Sequence, residues 1–340
     1  MAILTFGEIM LRLQPFGYKR FMQAEAYEAV YGGGEANVAV SLAQMGEQVK
    51  YLTGLPDNRI ADKCVNVLRG FGVDTGAIVR RSGRMGIYFC EKGCAQRASE
   101  IIYDRAGSVA AGLTLADVDV NAVLDGVEWF HVTGITPALS DGVAELTLAL
   151  AKAAKEKGIT VSCDINYRKK LWSREKANKV MTELVKYVDV LISNEEDVKD
   201  VFGIQAEGSD ITGGRLSAEG YGKVAREVMK RFPGVKKTAF TLRESISASV
   251  NGWSAVLCEG ESVFKSKNYV IDIVDRVGGG DSFGAGLIYA LKNGYSNAEA
   301  IEFATAASCI KQTVEGDFNI VTVAEVKRLA EGDGSGRIQR

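Results

Sequence analysis

Histidine is almost absent from this sequence. The one histidine among 340 residues is His131, which lies in the apolar run Trp129-Phe130-His131-Val132. A Ser-His-Asp hydrolase needs a histidine base and histidine-rich metal sites need several, so both classes are disfavoured. Because its neighbours are apolar, His131 is predicted to lie in the core or at a strand end.

Cysteine pairs with metal-binding spacing are also missing. The six cysteines are Cys64, Cys90, Cys94, Cys163, Cys258 and Cys309. No C-x-x-C motif occurs among them, and no histidine lies near Cys90 and Cys94. A zinc site is therefore disfavoured, and scattered reduced thiols predict a cytoplasmic protein.

Neither an excess of charge nor a long apolar run marks the chain. It has 41 Lys and Arg against 43 Asp and Glu, a net charge of -2, which gives no reason to expect nucleic acid or an anionic membrane as partner. Apolar runs stop well short of the ~20 residues that span a bilayer. Residues 1–8 have no basic start, so they are predicted to form a first strand, not a secretory signal.

What is present is a regular alternation of short β-rich runs with amphipathic helical runs. Strands are predicted at 2–6, 50–53, 129–132, 160–164, 188–193 and 237–242. Their continuous apolar character suits a parallel sheet buried on both faces. Helices at 35–45 and 141–157 end at glycines, and capping boxes at Ser296 and Thr322 begin two more. The pattern predicts one α/β domain, 1–340, built as a three-layer α/β/α sandwich.

Two segments break this alternation. Residues of about 9–31 and 80–105 alternate polar and apolar side chains without helices between them. They predict a small antiparallel β-sheet that forms a lid over a pocket, with a pair of surface hairpins as the alternative. The polar, glycine-rich stretch 205–220 is predicted to be a loop.

Three glycines followed by an acid form the most informative motif, within residues 275–286. Gly278, Gly279 and Gly280 precede Asp281, which begins a predicted helix over 281–293. Unpaired N–H groups at a helix start attract anions, and a carboxylate beside a bound phosphate can deprotonate an attacking alcohol. The motif indicates an ATP-dependent kinase for a small hydroxylated substrate. No G-x-x-x-x-G-K-[ST] motif and no G-x-G-x-x-G after the first strand occur, which disfavours P-loop and dinucleotide-binding proteins.

A second glycine run, Gly32-Gly33-Gly34, precedes a helix that carries Asn37 on its first turn. Glycine lets a ligand approach the backbone, and the Asn37 amide can donate and accept toward hydroxyl groups. The alternative is that Asn37 caps its own helix. The two motifs, with Gly7-Glu8 and the stretch 194–197, resemble the signatures of the ribokinase-like (PfkB) carbohydrate kinases. That family's fold is an α/β/α sandwich with a β lid.

The resemblance implies roles for individual residues. Asp281 would be the catalytic base, and the three glycines before it would lead into an anion hole. Asn194 and Asp197 would organise Mg²⁺ through water, although Asp197 stands where the family usually has Glu. Asp275 would border a monovalent-cation site for K⁺, but Arg276 and Val277 replace the small hydroxyl residues common there, which leaves that site open.

The nucleotide side departs further from the family. Residues 241–245 lack its Lys-x-Gly turn, so Thr241 and Arg243 are interpreted either as phosphate-facing or as strand-end residues. Asp317 lies in the region that borders the adenine and the cation in the family, and could also reach the sugar.

Two arginine-containing segments indicate the substrate. Tyr103 and Arg105 form a Y-x-R motif, and Arg168 lies in D-x-N-x-R-x-x-L-W; both resemble family members that phosphorylate 2-keto-3-deoxygluconate. By that likeness these three residues would hold the sugar acid, and Gly34 and Tyr88 would line its pocket. Guanidinium groups pair well with carboxylates.

The leading hypothesis is therefore an ATP-dependent kinase that converts 2-keto-3-deoxygluconate to its 6-phosphate, assembled as a homo-oligomer through the lid. A fructokinase- or ribokinase-like enzyme for neutral sugars and a non-catalytic sugar-binding regulator are the alternatives. A nicotinamide oxidoreductase lacks its fingerprint.

Overall fold

The computed structural model describes residues 1–205 and 218–334. Its strands are β1 Ala2–Phe6, β2 Met10–Pro15, β3 Tyr27–Gly32, β4 Val49–Pro56, β5 Ile78–Arg81, β6 Ile87–Glu91, β7 Glu100–Asp104, β8 Val127–Thr133, β9 Thr160–Asp164, β10 Val190–Ser193, β11 Lys237–Ser245, β12 Val250–Glu259, β13 Ser262–Lys265 and β14 Tyr269–Asp272. The helices are α1 Gly34–Gln44, α2 Arg59–Gly70, α3 Val120–Val123, α4 Asp141–Glu156, α5 Arg174–Val185, α6 Glu195–Phe202, α7 Ala218–Arg231, α8 Gly279–Lys292, α9 Asn297–Lys311 and α10 Val323–Glu331.

The main sheet has the order β13-β12-β11-β10-β9-β8-β1-β4-β5, and β14 also pairs with β12. Strands β5 to β11 along this order are parallel, as predicted, because each connection between consecutive strands of this set contains at least one helix and returns the chain to the same edge. Sequence reasoning did not identify β12, β13 and β14, which extend the sheet by antiparallel pairing.

Helices cover both faces of this sheet, so the predicted three-layer sandwich is confirmed. One face packs against α1, α2, α8, α9 and α10, with Phe283 and Phe303 in its core. The other packs against α4 to α7, with Phe130 and Met181. His131 is buried, accepts or donates a hydrogen bond with Ser162 Oγ at 2.8 Å, and burial lowers its pKa to about 3, as expected of a core histidine.

Local helix signals were predicted accurately because they depend on neighbours in sequence. Gly46 and Gly158 follow α1 and α4 with φ of +92° and +73°, the left-handed conformation that glycine adopts without strain. Ser296 and Thr322 form complete capping boxes with acids three residues on. The part of 205–220 that the structure describes differs from the predicted loop, since 218–220 already belong to α7; residues 206–217 lie outside the described residues.

A separate small sheet has the order β3-β2-β6-β7. It comes from the two segments predicted to form one, but it is mixed, not antiparallel. The strands β2 and β6 pair in parallel, because the chain runs through α1, β4, α2 and β5 before it enters β6 from the same side. In the described residues no helix is long and apolar enough to cross a membrane.

Candidate active site

Two helices begin side by side near the carboxyl ends of the parallel strands. Asn37 in the first turn of α1 donates through Nδ2 to Asp281 Oδ2 in the first turn of α8, at 2.7 Å, across 244 positions of sequence. A Cβ on Gly34 would lie 3.7 Å from Asp281 Oδ1 and 3.5 Å from Thr133 Cγ2 at the end of β8. The fold thus brings the two glycine motifs together around one carboxylate.

The first turn of α8 presents free amide groups. Gly278 precedes the helix with φ +81°, and a Cβ there would collide with the carbonyl oxygen of Asp317, so the position requires glycine. The Gly279 N–H is used within the turn, whereas the amides of Gly280 and Asp281 have no acceptor among the described residues. Gly280 is exposed, and a Cβ on it would meet no atom within 4 Å. Free donors at a helix start beside open space form an anion-binding site.

The half-buried Asp281 has the properties of a general base. Burial raises its pKa to about 6, the hydrogen bond from Asn37 opposes that rise, and the nearby Asp317 charge adds to it. A base with a pKa close to the operating pH accepts protons efficiently. The Asn37 Oδ1 accepts from Gly33 N at 3.2 Å, so both ends of this amide are engaged within the protein. The Asn37 amide thus links Asp281 to the start of its own helix, and its predicted contact with the substrate stays a prediction.

Asp164 and Asp197 are two buried or half-buried carboxylates whose charges are both opposed by Arg168. Asp164 ends β9, and Asp197 lies in α6, whose N-cap is Asn194. The Asn194 side chain accepts from Asp197 N at 2.8 Å and donates to Asp197 Oδ2 at 3.1 Å, which fixes that carboxylate. Burial raises the pKa of Asp197 to about 6 and that of Asp164 well above its usual range, the latter also through the charges of Asp197 and Asp281, and Arg168 opposes both.

This arrangement suits a hydrated Mg²⁺. In the part of the chain that the structure describes, no three His, Cys, Asp or Glu side chains are grouped so that they could hold a metal ion by themselves. Mg²⁺ usually keeps several waters and is held by one or two carboxylates together with the phosphates of a substrate. A cation near Asp164 and Asp197 would stabilise carboxylates whose ionised forms are disfavoured by burial, so the residues fit this ion.

The predicted sugar-acid residues form a second cluster, on the small sheet. Arg105 pairs with Glu8 through Nε, at 2.7 Å, and through Nη2, and its guanidinium carbon lies 5.7 Å from the Tyr103 ring centre. The Tyr103 ring lies 5.9 Å from that of Tyr88. Tyr103 is 43% exposed, whereas Tyr88 is buried with its hydroxyl on both oxygens of Asp317, at 2.6 and 2.7 Å. Tyr88 therefore packs against Tyr103 from the buried side, and its hydroxyl is already bound to Asp317.

Thr241 and Arg243 lie inside β11, which continues to Ser245 in register with β12. Both are therefore strand residues in the second half of β11, and a phosphate-facing role for either stays a prediction. Arg243 is exposed. The pKa of Arg276 is lowered first by its own burial and second by the positive charge of Arg243, so the two guanidinium groups lie near one another. They place positive charge beside the segment that leads into α8.

Asp275 and Asp317 belong to a buried ionic network. Arg12 donates to Asp275 Oδ2 at 2.6 Å and to Asp317 Oδ1 at 2.7 Å, and all three side chains are at most 3% exposed. The Asp275 carbonyl oxygen accepts from the Lys311 ammonium at 3.2 Å. The oxygens expected to bind K⁺ are thus already engaged, and the residues do not fit that ion; nor is the Asp317 carboxylate free for adenine or sugar.

Sequence reasoning missed four residues of this region: Glu8, Arg12, Asp164 and Lys311. Asp164 is the last residue of a buried strand and Glu8 lies two residues after another, a signal that could have identified them. Arg12 and Lys311 gave none, because a charged residue in a strand or at a helix end is normally solvated. Only the tertiary structure shows that both are fully buried.

The comparisons with known proteins agree with this geometry. The model of the pfkB family carbohydrate kinases matches residues 2–322. A solved structure of 2-dehydro-3-deoxygluconokinase from Thermotoga maritima is 47% identical with a TM-score of 0.93, covering 98% of this chain and 98% of that chain. A 2-dehydro-3-deoxygalactonokinase from Haloferax volcanii is 31% identical, covering 98% of each chain, and a 2-dehydro-3-deoxygluconokinase from Bacillus subtilis is 27% identical over 93% of this chain and 90% of its own. Because the family match spans nearly the whole chain and agrees with the fold and the paired glycine motifs, the protein belongs to the pfkB family of carbohydrate kinases.

Proposed function

We propose that this enzyme transfers the γ-phosphoryl group of ATP to the terminal hydroxyl of 2-keto-3-deoxygluconate, the sugar acid also called 2-dehydro-3-deoxygluconate. The observation that carries the proposal is the position of Asp281. This half-buried carboxylate has a raised pKa and lies beside two free backbone N–H groups, that of Gly280 and that of Asp281 itself. The names of the similar Thermotoga maritima and Bacillus subtilis proteins support this substrate.

In the proposed reaction Asp281 takes the proton of the terminal hydroxyl while that oxygen attacks the γ-phosphorus. The new O–P bond forms as the bond from the γ-phosphorus to the β,γ-bridging oxygen breaks, so that ADP leaves and the sugar acid is phosphorylated. The amides of Gly280 and Asp281 stabilise the charge on the transferred group, with Gly278 and Gly279 forming the turn that aims them. Asn37 holds Asp281 in place.

The remaining charged residues divide between the two substrates. Tyr103 and Arg105 would bind the sugar acid, with Arg105 held by Glu8. Arg168, whose charge acts on Asp281, would also bind the sugar acid and would stabilise charge on the transferred phosphoryl group. Arg243 and Arg276 serve the phosphates of ATP. Asp164 and Asp197 would hold Mg²⁺ through water, with Asn194 fixing Asp197, and the bound ion would neutralise phosphate charge. K⁺ is left out of the proposal, because the oxygens of Asp275 are engaged.

A coupled assay for ADP tests this function. The substrates compared are 2-keto-3-deoxygluconate, its C4 epimer 2-keto-3-deoxygalactonate, fructose and ribose, each with ATP and Mg²⁺. We expect kcat/KM to be highest for the two sugar acids, and Arg105→Ala to raise KM for the acid by about ten-fold or more, as loss of a charged hydrogen bond implies. Preference for a neutral sugar would contradict the proposed substrate, and absence of ADP formation with every sugar would favour a binding regulator.

We also propose a cytoplasmic enzyme that assembles as a homo-oligomer through the small sheet. ATP, its cosubstrate, is held inside the cell. The strands β3 and β7 are the unpaired edges of that sheet, and Tyr27, Ile102 and Tyr103 expose apolar surface on it. Light scattering on the wild type and on an Ile102→Asp variant would test assembly; a monomeric wild type would contradict it.

A further inference from the structure

A fully buried lysine lies directly behind the glycine turn of the active site. Lys311 is the last residue of α9 and is 0% exposed. Its ammonium donates to three backbone carbonyl oxygens, those of Asp275 at 3.2 Å, Val314 at 3.4 Å and Gly316 at 2.6 Å. It forms no ion pair with any carboxylate of the described residues, although lysines buried in proteins are usually paired.

A ring of backbone carbonyl oxygens is the chemistry that binds a bare monovalent cation. Carbonyl dipoles replace the hydration shell of such an ion, as in potassium-selective channels. An ammonium group carries the same single charge and donates to the same oxygens. The three carbonyls around Lys311 therefore form a cation site whose occupant is part of the chain.

The surrounding charges balance with this occupant. Arg12 and Lys311 contribute two buried positive charges, and Asp275 and Asp317 contribute two negative ones. The carboxylate of Asp275 also accepts from Val277 N at 3.1 Å and from Gly316 N at 3.2 Å. An additional K⁺ would compete with Lys311 for these carbonyl oxygens and would leave an uncompensated buried charge, which is costly.

The ammonium is coupled to the catalytic turn by direct packing. A Cβ on Gly278 would lie 3.3 Å from Lys311 Cε, and the Asp275 carbonyl that accepts from Lys311 begins the segment that leads into α8. Burial lowers the pKa of Lys311, and the carboxylates of Asp275 and Asp317 oppose that effect. The Lys311 ammonium therefore stabilises the glycine turn that orients the amides of Gly280 and Asp281.

We propose that the Lys311 ammonium is a built-in replacement for the monovalent cation that the family resemblance implies at this position, so that the kinase works without K⁺. The proposal rests on the proposed kinase function for its activity readout, and it also has a readout in stability. Lys311 acts as a positioning residue, since it touches the turn and not the reacting atoms.

The first experiment measures the wild type in a buffer whose only cations are Mg²⁺ and tetramethylammonium, with K⁺, Na⁺ or NH₄⁺ then added up to physiological concentration. We expect kcat to change by less than about two-fold, below the range expected for loss of a charged interaction. A saturable rise of about ten-fold with K⁺ would overturn the proposal. Absence of turnover with all sugars would contradict the kinase function instead, and the stability measurement below would still test Lys311.

The second experiment removes the ammonium. Lys311→Ala opens space among the three carbonyls, and Lys311→Met fills that space without a charge. We expect both to lose about ten-fold or more in kcat in the absence of K⁺, and only Lys311→Ala to regain activity and melting temperature when K⁺ or NH₄⁺ is added. Lys292→Ala is the matched control: Lys292 also ends a helix but pairs with Glu47 and Glu128, so its loss should give no response to K⁺.

Three results would contradict the built-in cation: full activity of Lys311→Ala without K⁺, equal responses to K⁺ in Lys311→Ala and Lys292→Ala, or a K⁺-dependent melting temperature in the wild type. If Lys311→Ala does not fold at all without K⁺, its recovery on refolding with K⁺ gives the same discrimination, because tetramethylammonium is too large to substitute.

Discussion

The chain contains the same four-residue pattern twice, three glycines followed by an acid, and the two copies do different work. Gly32-Gly33-Gly34-Glu35 leads into α1, and Gly278-Gly279-Gly280-Asp281 leads into α8. Both acids lie in the first turn of a helix, and burial raises the pKa of both, that of Glu35 to about 7 and that of Asp281 to about 6. Sequence pattern and pKa therefore do not distinguish them.

What distinguishes the two acids is how many of their lone pairs the protein uses. Glu35 is 1% exposed, and its Oε1 accepts from Thr133 N at 2.8 Å, Thr133 Oγ1 at 2.9 Å and Thr136 Oγ1 at 2.6 Å. Asp281 is half-buried and accepts one side-chain hydrogen bond, from Asn37. Glu35 thus links α1 to the end of β8, whereas Asp281 keeps an oxygen for a ligand. A carboxylate with unused acceptors at an open helix start is the one to assign to chemistry.

The largest expected effect is the loss of turnover in the variant Asp281→Asn. The amide cannot take the proton of the attacking hydroxyl, so we expect kcat to fall by about 10²–10⁴-fold, the range of general-base catalysis. At neutral pH the melting temperature should not fall below that of the wild type, because the side chain has one hydrogen-bond partner and burial disfavours its charged form. Steady-state kinetics and thermal unfolding measure the two quantities. Near-normal turnover would remove Asp281 as the base and with it the contrast between the two acids.

Glu35→Ala should have the opposite profile. It leaves two buried threonine hydroxyls and one amide without their acceptor and opens a small cavity, so we expect a loss of about 2–4 kcal/mol in the free energy of unfolding. Denaturant unfolding measures this loss. Because the Glu35 carboxylate accepts from Thr133 and Thr136 and makes no hydrogen bond with Asp281, KM and kcat of the folded fraction should stay close to the wild-type values. A fall in kcat as large as that of Asp281→Asn would mean that both acids are catalytic.

A smaller effect is expected for Asn37→Ala, which breaks the link between the two helix starts. Loss of a charge-assisted hydrogen bond costs about 1.5–3 kcal/mol, equivalent to about a ten-fold or greater fall in kcat. That hydrogen bond lowers the pKa of Asp281, so its removal should move the acidic limb of the kcat/KM profile to higher pH. Asn58→Ala is the matched control, since Asn58 caps α2 by accepting from Ala61 N and should cost stability alone. Identical pH profiles for both variants would contradict the orienting role.

Much of this site could be predicted because its signals are local. The glycine runs, the helix starts and Asn37 on its first turn are set by residues within one turn of each other, so the sequence alone locates them. The partners of Asp275 and Asp317 could not be predicted, since Arg12 reaches them across 263 and 305 positions of sequence. Long-range burial of charge depends on how the small sheet closes on the main body, and no periodicity in β2 or α9 encodes it. The antiparallel extension of the sheet was missed for a similar reason, because strand pairing is decided by contacts between segments.

The most subtle difference between the two acids is their effect on the pH dependence of stability. A carboxyl whose pKa is higher in the folded state binds more protons there, so its contribution to the free energy of unfolding is largest at low pH and is lost as pH rises to the folded pKa. For Glu35 this window runs from its ordinary value of 4.5 to about 7, and for Asp281 from 3.8 to about 6. We therefore expect the difference in unfolding free energy between the wild type and Glu35→Gln to fall by up to about 1.4 kcal/mol per pH unit until pH about 7.

The corresponding difference for Asp281→Asn should level off one unit earlier, near pH about 6, where wild-type turnover reaches its plateau. Denaturant titrations at several pH values, from about 3.8 to neutral pH, give the stability difference as a function of pH for both variants. The pH profile of kcat/KM is measured over the same range. The two acids are separated if only the Asp281 window coincides with the acidic limb of the activity profile. If the acidic limb of the activity profile instead follows the pH range of Glu35, then Glu35 controls catalysis. The assignment of Asp281 by its unused lone pairs would then be wrong.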